Sequence, residues 1–280
     1  MHLSVNGQRC YVASGGQPFA VRGADDAHDP PVVLVHGAAN DHDAWLGVAD
    51  ALVAAGQRVL VPDLPGHGRS EGSPLRSIEA LADWLAALLD TAGIAQAVLA
   101  GHSMGSLVAL ECAARHRQRV TRLALLGSSV PMPVADALLG QATDAPDQVC
   151  RMITRYSASD HFLRTGGKRG HGIWGPGLML AIMRRSRPGV LAVDLANCND
   201  YQNGLCAAAQ VHCPSLIIVA RRDRMTPRRN LPPLLSALRA PERIELADCG
   251  HGMMGEQPAA VASALLAFIT GGKIPVTAGQ

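Results

Sequence analysis

Aromatic side chains are scarce. The chain carries 3 Trp, 3 Tyr and 3 Phe in 280 residues, too few for the stacking platforms that hold single-stranded nucleic acid or for ring-walled carbohydrate sites. An excess of charge of one sign is missing as well. Lys and Arg number 25 against 23 Asp and Glu, a formal net charge of +2, so bulk electrostatics favours neither nucleic acid nor an anionic membrane as partner. No apolar run approaches the roughly 20 residues of a membrane helix, and Met1 to Tyr11 lacks the charged start and apolar middle of a secretory leader. The 7 cysteines include no CxxC pair, and an odd, scattered set fits reduced thiols in the cytoplasm better than a disulfide frame. No histidine pair stands at metal-ligand spacing within a strong motif, so no metal and no other cofactor is expected. What these absences leave is a cytoplasmic monomer or homodimer that acts on a small molecule at a local site.

Hydrophobic residues make up 48% of the chain, and 29 Gly and 18 Pro imply many turns. Short runs rich in Val, Leu and Ile recur at Val32 to Val35, Val59 to Val61, Ala97 to Ala100, Leu123 to Leu126, Leu216 to Val219 and Ile244 to Leu246. Apolar at consecutive positions, they suit strands buried on both faces. Helical patterns lie between them, at Ala44 to Ala55, Ile78 to Ala92, Ser106 to Arg115, Leu231 to Leu238 and Ala259 to Ile269. The alternation predicts an α/β fold, a mostly parallel central sheet with helices on both faces. Asn6-Gly7 and Gly15-Gly16 mark an antiparallel hairpin that leads into it. The alternation breaks between about Pro131 and Cys213, a stretch without a convincing strand. This predicts a core of residues 1–130 and 214–280 with a mainly helical cap, 131–213, inserted over the site.

The sharpest motif is Gly101-His102-Ser103-Met104-Gly105, between a strand and a helix. A serine on so tight a turn needs glycines two residues to either side, where a Cβ would strike the neighbouring strand and helix. The turn lifts the hydroxyl above the sheet, and the helix N-terminus aims N–H groups at developing negative charge. Three more segments occur in order. Val35-His36-Gly37-Ala38 follows the first core strand, Asp63-Leu64-Pro65-Gly66-His67-Gly68-Arg69-Ser70 follows the next, and Gly250-His251-Gly252 follows the last. Together the four resemble the α/β-hydrolase fold family over nearly the whole chain, and the serine elbow marks a member similar to its esterases.

A serine hydroxyl is a poor nucleophile at neutral pH and needs a base, which in turn needs an orienting carboxylate. His251 is the candidate base for Ser103. His36 and His67 belong to loops whose role in the family is structural, and His102 is expected to point away from the nucleophile. His2, His28 and His116 read as surface residues. Asp223 is the candidate carboxylate, since Ala220 to Pro227 is similar to the family's G-x-x-D-x-x-x-P segment, with Ala220 in place of glycine. Asp248 is the runner-up, too close in sequence to His251 to turn back to it. The resemblance assigns the oxyanion hole to the backbone N–H groups of Ala38 and Met104.

These residues imply a serine hydrolase that cleaves a small carboxylic ester, thioester or lactone through an acyl-enzyme. An elbow serine argues against the dehalogenases and epoxide hydrolases of the family, which use aspartate there. A C–C bond hydrolase, or an acyltransferase or perhydrolase on the same triad, is the alternative, and a non-catalytic ligand-binding protein of this fold stands behind both. In the cap, Trp174, Met179 and Met183 are candidate substrate-binding residues, part of a Met- and Leu-rich stripe that equally suits packing against the core. Arg164, Lys168, Arg169, Arg184, Arg185 and Arg187 form a basic run that reads as a solvated face or as recognition of an acidic substrate group. Asp41-His42-Asp43 could suggest a metal but is expected to cap the helix containing Trp45.

Overall fold

The runs Val32–Val35 and Val59–Pro62 are buried at every position, as strands inside a two-sided sheet must be. The computed structural model describes residues 1–16, 30–166 and 175–272. Its eight strands are β1 (His2–Val5), β2 (Gln8–Ala13), β3 (Val32–Val35), β4 (Val59–Pro62), β5 (Ala97–His102), β6 (Val120–Leu126), β7 (Ser215–Ala220) and β8 (Glu242–Leu246). They form one sheet in the order β1-β2-β4-β3-β5-β6-β7-β8. β1 and β2 pair antiparallel, as the Asn6-Gly7 turn predicts, with both turn residues at positive φ. β2 joins β4 antiparallel, and every pairing from β4 through β8 is parallel.

Helices cover both faces. α1 (Leu46–Ala54), α2 (Ile78–Thr91) and α3 (Met104–Arg115) follow β3, β4 and β5, while α10 (Pro232–Ala237), α11 (Met253–Glu256) and α12 (Pro258–Thr270) complete the C-terminal part. Leu81, Leu85, Leu88 and Leu89 of α2 and Leu107 and Leu110 of α3 fill the core on one face. Leu52 of α1 and Val261, Leu265 and Phe268 of α12 fill it on the other. The 3.6-residue period brings such apolar positions onto one side of each helix.

Between β6 and β7 the described residues make six helices, namely α4 (Asp136–Asp144), α5 (Pro146–Ser157), α6 (Asp160–Thr165), α7 (Gly175–Arg184), α8 (Val190–Asp200) and α9 (Gly204–Ala209). No strand occurs there among the described residues. Val149, Met183, Leu191 and Leu195 of this insertion cluster with Ala39, which lies in the loop after β3. The insertion is thus packed directly onto a loop at the carboxyl edge of the sheet. No helix among the described residues is long and apolar enough to cross a membrane.

Three of the element boundaries that differ from the sequence expectation do so for a visible physical reason. The helix expected from Ala44 begins at Leu46, because Asp41 accepts from the Asp43 N–H at 3.0 Å and caps a 3₁₀ turn over His42–Trp45 first. The strand expected to end at Ala100 continues through His102, and the helix expected from Ser106 starts at Met104. A single residue, Ser103, makes the whole reversal.

Candidate active site

Ser103 sits at φ 54°, ψ −122°, a backbone conformation that a residue with a Cβ rarely adopts. Both flanking glycines are required by contact. A Cβ on Gly101 would meet the carbonyl of Gly105, and one on Gly105 would meet the carbonyls of Val35 and His36. Backbone carbonyls of a central strand cannot yield, so Gly105→Ala is expected to lower stability by about 3 kcal/mol or more. Urea denaturation reads this directly, and a midpoint equal to wild type would show that the elbow has slack.

His251 follows β8, and Asp223 follows β7. Parallel pairing of these strands brings the two loops together, with His251 Nδ1 2.8 Å from Asp223 Oδ2 and both residues buried. A carboxylate only accepts, so His251 carries its proton on Nδ1. Burial works against the charged form of Asp223. The facing His251 ring outweighs it, together with the Thr226 N–H and Thr226 hydroxyl, and holds the carboxyl down at about 2. Asp223 Oδ1 accepts from the N–H groups of Met225 and Thr226, each at 2.8 Å, and Oδ2 accepts from Thr226 Oγ1 at 2.7 Å. Thr226 also lies 3.3 Å from His251 Nδ1. Sequence reading passed over Thr226, although an aspartate followed three residues later by threonine is a recognisable side-chain-to-backbone turn. Asp248 is exposed and pairs with Arg222 at 2.9 Å, away from His251.

His102 reaches the loop that carries His251. Its ring packs against His251 with centroids 4.7 Å apart, and its Nε2 donates to the His251 carbonyl at 2.9 Å. Burial pulls its pKa down to about 3, so a neutral ring braces the loop that carries His251. Glu256 braces the same loop by accepting from Gly250 N at 3.1 Å and from Ser159 N and Oγ at 3.1 and 2.6 Å. Arg224, next to Asp223, donates to the carbonyls of Arg155 and Ala158 at the end of α5. The helical insertion is therefore tied to both loops.

The loop after β3 runs beneath the same space. Gly37 O accepts from His36 Nδ1 at 2.9 Å and from Asn40 N at 3.2 Å. The C=O and N–H of a trans peptide point in opposite directions, so these bonds turn the Ala38 N–H away from them. That N–H has no acceptor among the described residues. Met104 opens α3, where an N–H has no intrahelical acceptor.

Ser103, His251 and Ala38 share one cavity of about 590 Å³ with Met179 and Met183. Six of the nine methionines line it: Met132, Met152, Met179, Met183, Met225 and Met254. Trp174, Lys168 and Arg169 lie outside the described residues. Arg184 is paired with Asp147, and Arg185 is paired with Asp41 and Asp43. Of the basic run, these two are committed to carboxylates of the protein itself. His116 pairs with Asp83 at 2.8 Å, His2 is exposed, and His28 lies outside the described residues. The ligand-capable atoms of Asp41, His42 and Asp63 lie within 4.8 Å of one another. The two carboxylates are already engaged by protein donors, as Asp63 accepts from His42 N, His42 Nδ1 and Arg69 N, and Asp41 from Arg185 and Asp43 N.

A serine on a strand-to-helix elbow that shares a cavity with a carboxylate-backed imidazole, at the carboxyl edge of a parallel sheet, is the arrangement of a hydrolase. The sequence profile of the α/β hydrolase fold matches residues 30–258, and the chain belongs to that family of enzymes. Over 112 residues it is 45% identical to the dihydrolipoyllysine-residue acetyltransferase component of the acetoin cleaving system of Pseudomonas putida. That match covers 40% of this chain and only 29% of the relative. Among solved structures, a thermophilic esterase from Thermogutta terrifontis superposes with a TM-score of 0.80 at 21% identity, over 97% of this chain and 98% of that one. The enol-lactonase from Burkholderia xenovorans LB400 superposes with a TM-score of 0.78 at 23% identity, over 96% and 100%. At such identities the likeness to these two is one of fold.

Proposed function

We propose that the protein is a cytoplasmic serine hydrolase that cleaves small, uncharged carboxylic esters, thioesters or lactones with an aliphatic acyl group, and that residues 131–213 form the cap of a core made by 1–130 and 214–280. The 2.8 Å contact of His251 with Asp223, together with the cavity that His251 shares with Ser103, carries this reading. His251 Nε2 takes the Ser103 proton as Oγ attacks the acyl carbon, and Asp223 holds the imidazole tautomer and stabilises the imidazolium. The Ala38 and Met104 N–H groups receive the oxyanion. His251 then protonates the leaving group, and a water activated by the same imidazole cleaves the acyl-enzyme. p-Nitrophenyl acetate should show a burst of p-nitrophenol, and a fluorophosphonate should label Ser103. A folded sample that neither turns over nor labels defeats the reading.

The acyl class follows from the lining. Tyr156 is the only Trp, Tyr or Phe there among the described residues, and both charged residues are engaged, Asp43 with Arg185 and Arg224 with backbone carbonyls. Flexible thioethers accommodate a bent aliphatic chain without the flat walls that favour a ring. Each methylene buried is worth about 0.8 kcal/mol, roughly fourfold in kcat/KM. Lengthening the acyl group from acetate should raise kcat/KM by that factor per carbon until the cavity fills, and benzoate esters should gain less. A flat chain-length profile in p-nitrophenyl ester assays excludes the aliphatic assignment. The lining also disfavours perhydrolysis, because a peracid product passes an oxygen atom to a thioether, giving the sulfoxide and the carboxylic acid.

A further inference from the structure

We infer that Asp194 of α8 and His67 form a buried carboxylate–imidazolium pair through which the cap holds the oxyanion loop in working geometry, so that Asp194 is a positioning residue for catalysis. The inference rests on the proposed serine hydrolase reading. His67 Nδ1 lies 3.0 Å from Pro65 O and Nε2 lies 2.8 Å from Asp194 Oδ2. A carbonyl and a carboxylate both accept only, and a neutral imidazole has one N–H, so two such contacts call for the doubly protonated ring. Both side chains are 1% exposed. A buried carboxylate and imidazolium are each tolerable there because the other is present.

The same Asp194 Oδ2 accepts from Ala39 N at 2.7 Å. Ala39 stands at φ 52°, in the left-handed region that alanine seldom adopts. It directly follows Ala38, which lines the cavity with Ser103 and whose N–H has no acceptor among the described residues. One oxygen of a cap helix thus anchors the strained residue next to the oxyanion donor, and the His67 cation fixes that oxygen. Asp194 Oδ1 is buried and has no hydrogen-bond partner among the described residues, so there the carboxylate meets its bonding through Oδ2 alone.

The other titratable groups around the pair are consistent with one cation. His36, from the loop after β3, has its ring 5.0 Å from that of His67, donates through Nδ1 to Gly37 O and accepts at Nε2 from Leu64 N. It is a neutral tautomer, held down to about 4 mainly by burial. Asp63, after β4, adds negative charge beside His67, and Cys198 lies one turn beyond Asp194 on α8 with its thiol pushed up by burial. Burial opposes the His67 cation, yet Asp194 overrides it and raises the pKa. A raised pKa means that the tie is fully present below the ordinary imidazole value of 6.5 and is lost as pH rises through the higher folded-state value.

Asp194→Ala should lower kcat for p-nitrophenyl esters by roughly 10- to 100-fold, with KM changed by less than about threefold, as expected when an oxyanion donor is slightly misplaced. Asp194→Asn, which can still accept from Ala39 N, should recover part of that loss. In ¹⁵N-histidine NMR, both ring nitrogens of His67, assigned by comparison with His67→Gln, should be protonated in wild type at pH 7, and one should be in Asp194→Asn. An unchanged kcat in Asp194→Ala, or a neutral His67 in wild type, overturns the inference. If Asp194→Ala does not fold, wild type and Asp194→Asn still decide it. Wild type that neither labels with fluorophosphonate nor turns over would instead defeat the hydrolase reading, and the NMR result would then stand alone as a statement about the pair.

Discussion

Ser103→Ala is expected to give a folded protein whose ester turnover is down by roughly 10⁶-fold and which takes no fluorophosphonate label. The loss is large because the proposed mechanism makes the hydroxyl the attacking group, and whatever turnover persists would come from the proposed oxyanion donors and the cavity alone. Stability should barely change, since alanine keeps the same Cβ in the same strained backbone, φ 54° and ψ −122°. Ser103→Gly separates strain from chemistry. It should be equally inactive yet more stable than wild type by about 1 kcal/mol, because glycine adopts this conformation at little steric cost. Steady-state rates and urea midpoints on the two variants provide the check. Residual turnover within tenfold of wild type would remove Ser103 from the nucleophile role.

Asp223→Asn is expected to lower kcat by about 10⁴-fold while the fold survives. The carboxylate accepts from His251 Nδ1 and so keeps the proton there, leaving Nε2 free to act as base. An amide can present its NH₂ to Nδ1, which moves the proton to Nε2 and blocks removal of the Ser103 proton. The pH dependence has a definite sign. The Asp223 carboxyl is depressed from 3.8 to about 2. A depressed acid contributes stability that is present above its unfolded value and is lost as pH falls through the folded one. Acid titration of wild type should therefore show a loss of stability between those two values that Asp223→Asn lacks. Equal acid unfolding of the two proteins, followed by circular dichroism, would argue that His251 does not hold this carboxylate.

Much of the fold was legible from local pattern. The consecutive apolar runs at Val32, Val59, Leu123 and Leu216 fall in strands, because a strand covered on both faces tolerates no polar alternation. The elbow was legible from Gly101 and Gly105, since only glycine fits against the carbonyls that crowd those positions. Element ends were less readable, as Ser103 compresses the turn to one residue and Asp41 inserts a capped 3₁₀ turn before α1. Thr226 was missed because its effect depends on facing both Asp223 and His251, and Glu256 because its partners, Ser159 and Gly250, come from separate segments.

The sequence by itself determined what each short segment must be: apolar runs became strands, glycines marked the places where backbones crowd, and a serine was raised on a turn. Tertiary structure alone decided which loops share the site. It turned His102 onto the backbone of His251, 149 residues away, and committed Arg185 to Asp41 and Asp43 instead of leaving it for a ligand. It also placed Asp194 against Ala39 and His67, at separations of 155 and 127 residues. Local preference acts over a few bonds and can be read along the chain. A hydrogen bond or ion pair between distant residues exists only once the sheet and cap have set their directions, and the protonation of His67 is a consequence of that placement.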